Sequence, residues 1–154
     1  MKLTTIWVGK GRIQWADDAV HEYARRLPRH LGYTELQIKP VAYTGDANEV
    51  KREEATKILS KVRDGDRLVV LDERGDALTS HEFAKLIEGA SHQGTRKIVF
   101  AIGGPYGHGK AVQDAAWKTV RLSSMVLNHS LARIILTEQL YRASTLIWGG
   151  SYHH

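Results

Sequence analysis

The chain of 154 residues contains no cysteine, only three prolines and no long hydrophobic run. The lack of cysteine excludes a disulfide framework, a thiolate metal site and a cysteine nucleophile. No segment approaches the roughly 20 apolar residues of a membrane-spanning helix, and the first residues lack a signal-peptide pattern. We therefore expect a protein of a reducing compartment, either the cytoplasm or an organelle matrix or stroma, with no membrane partner.

The charged residues have only a moderate imbalance, since 22 Lys and Arg stand against 17 acids and give a net charge of +5. Such an excess favours a phosphate-bearing partner, although many enzymes carry as much. Eight histidines are present, yet no H-E-x-x-H motif and no pair spaced for one helix face occurs among those near the carboxyl end. We predict that the histidines form hydrogen bonds and that no metal is bound.

Short apolar runs alternate with segments of helical periodicity along the whole chain, which indicates an α/β fold with a mainly parallel sheet flanked by helices. Residues 1–154 are predicted to form one domain. The expected strands are Leu3–Val8, Leu36–Val41, Leu68–Leu71, Lys97–Ile102 and Thr119–Leu122. The expected helices run from about Trp15 to Leu27, Asp46 to Val62, Thr79 to an end between Gly89 and Gly94, Lys110 to Trp117 and Ser130 to Trp148.

The last helix is apolar over most of its circumference. A helix that is apolar on more than one side must bury more than one side. We expect the sheet of so small a chain to cover only one of these faces. A partner subunit is therefore predicted to cover another, and a two-fold homodimer is the commonest arrangement.

Two segments near the carboxyl end have the composition of a cofactor pocket. The turn Gly103–Gly109 is rich in glycine, which lets backbone approach a ligand closely. The run Leu122–His129 combines apolar side chains with small hydroxyl groups, which suits an aromatic base held through main-chain groups. Together they predict a nucleotide-like cofactor site.

An alternative for the same turn is a phosphate loop, because Gly104–Lys110 fits the pattern G-x-x-x-x-G-K after a strand. Three features disfavour it. Ala111 stands where a Ser or Thr would bind Mg²⁺, and Pro105 removes a backbone donor. The acidic segment that would complete such a site, Leu68–Glu73, also precedes the loop. A permuted nucleotide-hydrolysing protein remains the alternative function, together with a non-catalytic ribosome-binding protein.

Four segments resemble one known family. They are Ile102-Gly103-Gly104-Pro105-x-Gly107, Leu122-Ser123-x-Met125-x-Leu127-x-His129, Arg133-x4-Glu138-Gln139-x-Tyr141-Arg142-Ala143 and the closing Tyr152-His153. In these segments and in length the chain is similar to the RlmH family, a small member of the SPOUT class of knotted RNA methyltransferases. The resemblance implies a homodimeric fold with a carboxyl-terminal trefoil knot, a rare exception among protein topologies.

The resemblance also implies an activity and a partner. The family transfers a methyl group from S-adenosylmethionine to N3 of a pseudouridine in helix 69 of the large-subunit ribosomal RNA, position 1915 of the 23S molecule. It is thought to act on the assembled ribosome. The cofactor has no phosphate, which agrees with a pocket that lacks a dedicated cationic clamp.

Site residues follow from the matching positions. The implied cofactor contacts are Leu71, Gly103 and the run Leu122, Ser123, Ser124, Met125, Val126 and Leu127, with Gly104 beside them. Among the catalytic candidates, His153 would take the proton, Arg142 would stabilise charge on the flanking carbonyl oxygens, and Tyr152 would orient the tail or stack on a base. His129 is the fourth candidate. An ion pair between Glu138 and Arg142 is an equally acceptable role for that arginine.

Two positions depart from the family pattern. His154 stands where many relatives have Arg or Lys, which weakens any basic anchor at that position. Asn128 stands where many relatives have proline, and we expect it to loosen the loop before His129.

Overall fold

A computed structural model describes residues 1–152 as strands and helices that alternate along the chain. The strands are β1 (Lys2–Val8), β2 (Thr34–Ile38), β3 (Asp66–Ala77), β4 (Lys97–Ile102) and β5 (Lys118–Arg121). The helices are α1 (Gln14–Ala24), α2 (Ala47–Leu59), α3 (Ser80–His92), α4 (Lys110–Ala115) and α5 (His129–Trp148), with a short 3-10 helix at Arg29–Leu31. All strands are parallel in the order β2-β1-β4-β3-β5. The predicted α/β fold with a parallel sheet is confirmed.

The sheet carries a hydrophobic cluster on each face, because alternate residues of a strand point to opposite sides. In β4, Ile98 and Phe100 belong to one cluster with buried residues of α3 and α5. Val99 and Ala101 belong to the other, with buried residues of α2 and α4. The sheet is therefore covered by helices on both faces.

Two helix starts follow the capping chemistry of the sequence. The Asp46 side chain accepts a hydrogen bond from the Asn48 backbone N–H at the start of α2. Thr79 and Glu82 form a reciprocal capping box at the start of α3. Local polar residues therefore set the boundaries of these elements.

Strand β3 is longer than its apolar run predicts. The run ends at Leu71, but the strand continues to Ala77. Its pairing with β5 shifts register between Leu71 and Asp76, so that Val120 lies opposite both residues. The polar extension is held by this second pairing rather than by hydrophobic burial, which explains why the apolar pattern did not extend to it.

Helix α5 packs against α1 and α3 as well as the sheet. The two flanking helices thus cover sides of α5 that the sheet does not, a cover that the expectation from the sequence left out. Leu131 and Trp148 stay exposed, each at 41% of its surface. The homodimer and the trefoil knot both stay predictions. None of the helices in residues 1–152 is both long and apolar enough to cross a membrane.

Candidate cofactor-binding site

A cavity of about 890 Å³ lies at the carboxyl ends of β4 and β5, beside residues 71–74 in the middle of β3 and the start of α5. Crevices at this edge of a parallel sheet are the usual ligand sites of α/β folds. Eight of the nine predicted cofactor residues line it: Leu71, Gly103, Gly104, Leu122, Ser123, Met125, Val126 and Leu127. Ser124 belongs to the same loop and is exposed, but it is not among the lining residues. Segments far apart in sequence are thus brought to one cavity.

One wall of the cavity is the glycine turn that follows β4. The Gly107 backbone N–H donates to the Gly104 carbonyl at 2.9 Å, and Gly107 has a φ of +80°, a conformation that favours glycine. A Cβ on Gly104 would lie 2.8 Å from Oε2 of the buried Glu54. A side chain at this position would displace the Glu54 carboxyl group, because the turn packs directly on it.

His108 belongs to the same turn and connects it to β3. The side chain is buried, and its Nε2 lies 3.2 Å from the carbonyl oxygen of Leu71, to which it donates in the matching tautomer. Burial lowers the pKa of His108, so the ring is neutral at pH 7. It was predicted only as a hydrogen-bonding histidine. In the fold it joins two predicted cofactor segments, Leu71 and the glycine turn.

The opposite wall is the loop from Leu122 to Leu127. Leu122 and Leu127 pack against the hydrophobic core, whereas Met125 and Val126 are 75% and 81% exposed. The Ser123 hydroxyl accepts a hydrogen bond from the Met125 backbone N–H at 2.9 Å and fixes the turn. Exposed apolar side chains at the edge of a cavity are surface for a ligand or a partner to cover. The loop is therefore not simply buried core.

Asn128 caps helix α5 where the sequence predicted a loosened loop. Its side chain accepts a hydrogen bond from the Leu131 backbone N–H at 3.0 Å. An asparagine cap satisfies one of the free donors of the first helical turn. The expected loosening is therefore wrong, since this side chain stabilises the start of α5.

His129 reaches the cavity from the first turn of α5 and stacks on Trp7. The two ring centroids are 5.3 Å apart with planes 16° from parallel. A Cβ on Gly9 would lie 2.4 Å from the Trp7 ring and 3.0 Å from Nε2 of His129, so only glycine leaves room for this stack. Burial, and secondly the charge of Arg133, lower the pKa of His129. Its imidazole is neutral at pH 7 and available as an acceptor.

Arg133, one turn after His129 in α5, also packs on the Trp7 ring. Its guanidinium carbon lies 4.1 Å from the Trp7 ring centroid. It donates two hydrogen bonds to Glu35 and one to Asp17, each at 2.8 Å. The side chain of Arg133 is only 3% exposed. This buried network joins α1, β2 and α5 behind the cavity, and the sequence pattern did not predict it.

The other two described catalytic candidates lie apart from the cavity. Arg142 pairs with Glu138 at 2.6 Å, which realises the ion-pair role considered from the sequence. Its guanidinium lies 4.7 Å from the Tyr152 ring centroid, and Tyr152 packs on Tyr23 and Tyr141. A hydrogen bond with Tyr23, followed by burial, raises the pKa of Tyr152 to about 12. Neither candidate lines the cavity. His153 lies outside the described residues.

The cavity rim has charges of both signs. Arg74 forms two side-chain hydrogen bonds with Asp72, and these lower the pKa of Asp72 to about 2. Lys110, the lysine of the alternative phosphate loop, is instead paired with Asp114 at 2.7 Å on an exposed helix face. Within residues 1–152, no group of three or more His, Asp or Glu is arranged to hold a metal ion.

Comparison with known proteins agrees with this architecture. A family model described as "Predicted SPOUT methyltransferase" matches residues 1–153. A Ribosomal RNA large subunit methyltransferase H from Geobacter sp. (strain M21) is 41% identical over 156 residues, covering 100% of this chain and 99% of that protein. The protein of the same name from Trichlorobacter lovleyi is 40% identical and covers 100% of both chains. The chain belongs to the SPOUT methyltransferase family.

A solved structure was also found, that of the SpoU methyltransferase AviRb from Streptomyces viridochromogenes in complex with AdoMet. It has a TM-score of 0.48 and 15% sequence identity. The alignment covers 97% of this chain and 62% of that larger protein.

Proposed function

We propose that the protein is an S-adenosylmethionine-dependent methyltransferase of the large-subunit ribosomal RNA. The observation that carries this proposal is the cavity itself. It brings together two of the family segments, the glycine turn after β4 and the run from Leu122 to His129, in a chain that relatives of that name match from end to end. The target is N3 of a pseudouridine in helix 69, and the ribosome is the substrate. The cytoplasm is the compartment in which it acts.

The cavity suits this cofactor by its chemistry. The glycine wall lets a ligand lie against the backbone, and the exposed Met125 and Val126 provide apolar cover for an adenine ring. Leu71, Gly103, Gly104 and residues 122–127 would hold the cofactor. When bound, it supplies an electrophilic methyl group on a sulfonium ion.

The residues of the chain must handle a proton, because N3 of a uracil-type ring loses one as its bond to carbon forms. His153 is our first candidate for that transfer, and the neutral His129 at the cavity is the second. Arg142 would stabilise negative charge on the ring carbonyls, and Tyr152 orients this arginine by cation–π contact. The cavity residues that hold the cofactor next to the target base would supply part of the acceleration through proximity and orientation.

The test is transfer of labelled methyl from S-adenosylmethionine to ribosomal particles, with the modified base then mapped. We expect labelling of one nucleotide of the large-subunit RNA. ATP and GTP should not bind in parallel calorimetry, which separates this function from nucleotide hydrolysis. An inert enzyme on isolated subunits and on whole ribosomes would favour the non-catalytic alternative and contradict the proposal.

We further propose that the active unit is a homodimer in which each cavity is completed by the partner. Arg142 and Tyr152 do not line the cavity of their own chain, so a second copy must bring them if they act there. Exposed Leu131 and Val126 supply apolar surface for such an interface.

A mixed-dimer experiment tests this arrangement. We expect Gly103→Val and Arg142→Ala each to abolish transfer alone. A Cβ at position 103 would lie 3.2 Å from the Gly107 backbone carbon and from the His108 ring, so valine distorts this wall of the cavity. Random mixing of the two variants should restore about a quarter of wild-type turnover, because about half of the dimers are mixed and each has one intact site. A mixture that stays inactive, or a stable monomer at micromolar concentration in sedimentation, would contradict the shared site.

A further inference from the structure

Two exposed tyrosines form a pair at the edge of the cofactor cavity. Tyr43 and Tyr106 are 58% and 44% exposed, and their rings stack with centroids 5.5 Å apart and planes 22° from parallel. We propose that this pair, the tyrosine platform, stacks an unpaired base of the RNA substrate. The inference rests on the proposed function and names a contact surface for its substrate.

Tyr106 is presented by the glycine turn. Pro105 and Tyr106 are the central residues between Gly104 and Gly107, which are joined by the 2.9 Å backbone hydrogen bond. The ring of Pro105 restricts the backbone at the first central position. Tyr106 itself lines the cavity. A base stacked on the platform would therefore lie directly beside the bound cofactor.

Tyr43 is held by a loop that a buried carboxyl group connects to that turn. Its hydroxyl donates to the Gly45 carbonyl at 3.1 Å. Oε1 of Glu54 accepts from the Val41 backbone N–H at 3.2 Å, while Oε2 abuts Gly104. Glu54 is only 3% exposed, and burial raises its pKa. One buried side chain, that of Glu54, thus sets the positions of both loops. The two tyrosine rings are therefore already in place to stack with the ring of a base.

The charges beside the platform favour RNA as the occupant. Lys51 and Arg52 of α2 line the same cavity, and neither forms an ion pair with a carboxylate in the part of the chain described. Cations beside exposed aromatic rings are the combination that binds single-stranded nucleic acid, since phosphates meet the cations and bases stack on the rings. An unstacked base beside the target nucleotide fits this surface.

Binding of the full-length protein to ribosomal particles tests the platform directly. We expect the double variant Tyr43→Leu, Tyr106→Leu to raise the dissociation constant by about 5- to 160-fold, which corresponds to the loss of one base stack. The matched variant Tyr43→Phe, Tyr106→Phe keeps both rings and should bind like the wild type. Tyr43→Leu alone should leave the affinity for S-adenosylmethionine unchanged, because Tyr43 is not among the cavity-lining residues.

The contribution of Lys51 and Arg52 can be tested separately through the salt dependence of binding. Lys51→Gln or Arg52→Gln should each reduce the slope of log Kd against log salt by about 0.7 to 0.9, as expected for one lost phosphate contact. Arg63→Gln is the control, since Arg63 is an exposed cation in the turn before β3, at the opposite edge of the sheet.

Measurements of binding and of methyl transfer distinguish the tyrosine platform from the proposed function. Unchanged binding by the double leucine variant would overturn the platform even if methyl transfer is intact. A shift of that variant to monomer in sedimentation would also overturn it, because the tyrosines would then belong to a subunit interface. Failure of the wild type to methylate any ribosomal particle concerns only the proposed function.

Discussion

Arg133→Met is expected to lower the free energy of unfolding by about 3 kcal/mol, the lower end of the range for breaking a buried ion pair. The guanidinium is 3% exposed, whereas its partners Glu35 and Asp17 retain 19% and 16% side-chain exposure. The substitution leaves two carboxylates without their shared cation in a poorly solvated place. It also removes the cation–π contact with Trp7. Urea unfolding at fixed protein concentration measures the loss.

Lys110→Met is the matched control for this substitution. It also removes one cation from an ion pair, but Lys110 and Asp114 are 84% and 61% exposed. Water and salt screen such a pair, so we expect no measurable change in the unfolding midpoint. A loss below about 1 kcal/mol for Arg133→Met would contradict a structural role of the network.

Arg133→Met should also change the pKa of His129, an effect that a purely structural role of the arginine does not predict. Burial and the charge of Arg133 together hold the pKa of His129 below its ordinary value. Removal of the charge should raise that pKa, so His129 becomes protonated at a higher pH than in the wild type. If neutral His129 is required, the acid limb of the methyl-transfer profile moves to higher pH. NMR titration of the His129 ring and a pH–rate profile check this expectation.

The arrangement of the elements was predictable because each carries a local signal. Apolar runs marked the strands, and residues such as Thr79 and Glu82 marked a helix start. Parallel strands place their carboxyl ends at one edge, so the motifs after β4 and β5 were expected to meet. The two motifs do meet, since the cavity is lined by Gly103 and by residues 122, 123 and 125–127.

The supporting contacts were not predictable because they join residues that are far apart in sequence. Arg133 lies 116 positions from Asp17 and 98 from Glu35, and no periodicity relates such positions. Gly9 directly follows β1, and no local pattern shows that its lack of a side chain makes room for the stack of Trp7 and His129. Only the folded structure shows which side chains surround Gly9.

Gly75→Ala is expected to weaken cofactor binding at least about tenfold, although Gly75 is not among the cavity-lining residues. A Cβ at this position would lie 2.7 Å from the backbone carbon of Thr119 and the backbone nitrogen of Val120. Backbone atoms cannot rotate away, so β5 must shift relative to the extension of β3. The loop from Leu122 to Leu127 follows β5 directly and moves with it. Calorimetry with S-adenosylmethionine measures the effect.

Gly89→Ala is the control that makes this result specific. Gly89 lies inside α3, and a Cβ there would meet nothing within 4 Å. Because alanine is the better helix former by about 1 kcal/mol, this variant should be as stable as the wild type or more so, with unchanged cofactor affinity. Gly75→Ala should also lose about 1 to 3 kcal/mol of stability through overpacking. If Gly75→Ala binds the cofactor normally, the polar extension of β3 does not position the cavity loop. The pairing of this extension with β5 would then stabilise the sheet without affecting the cofactor site.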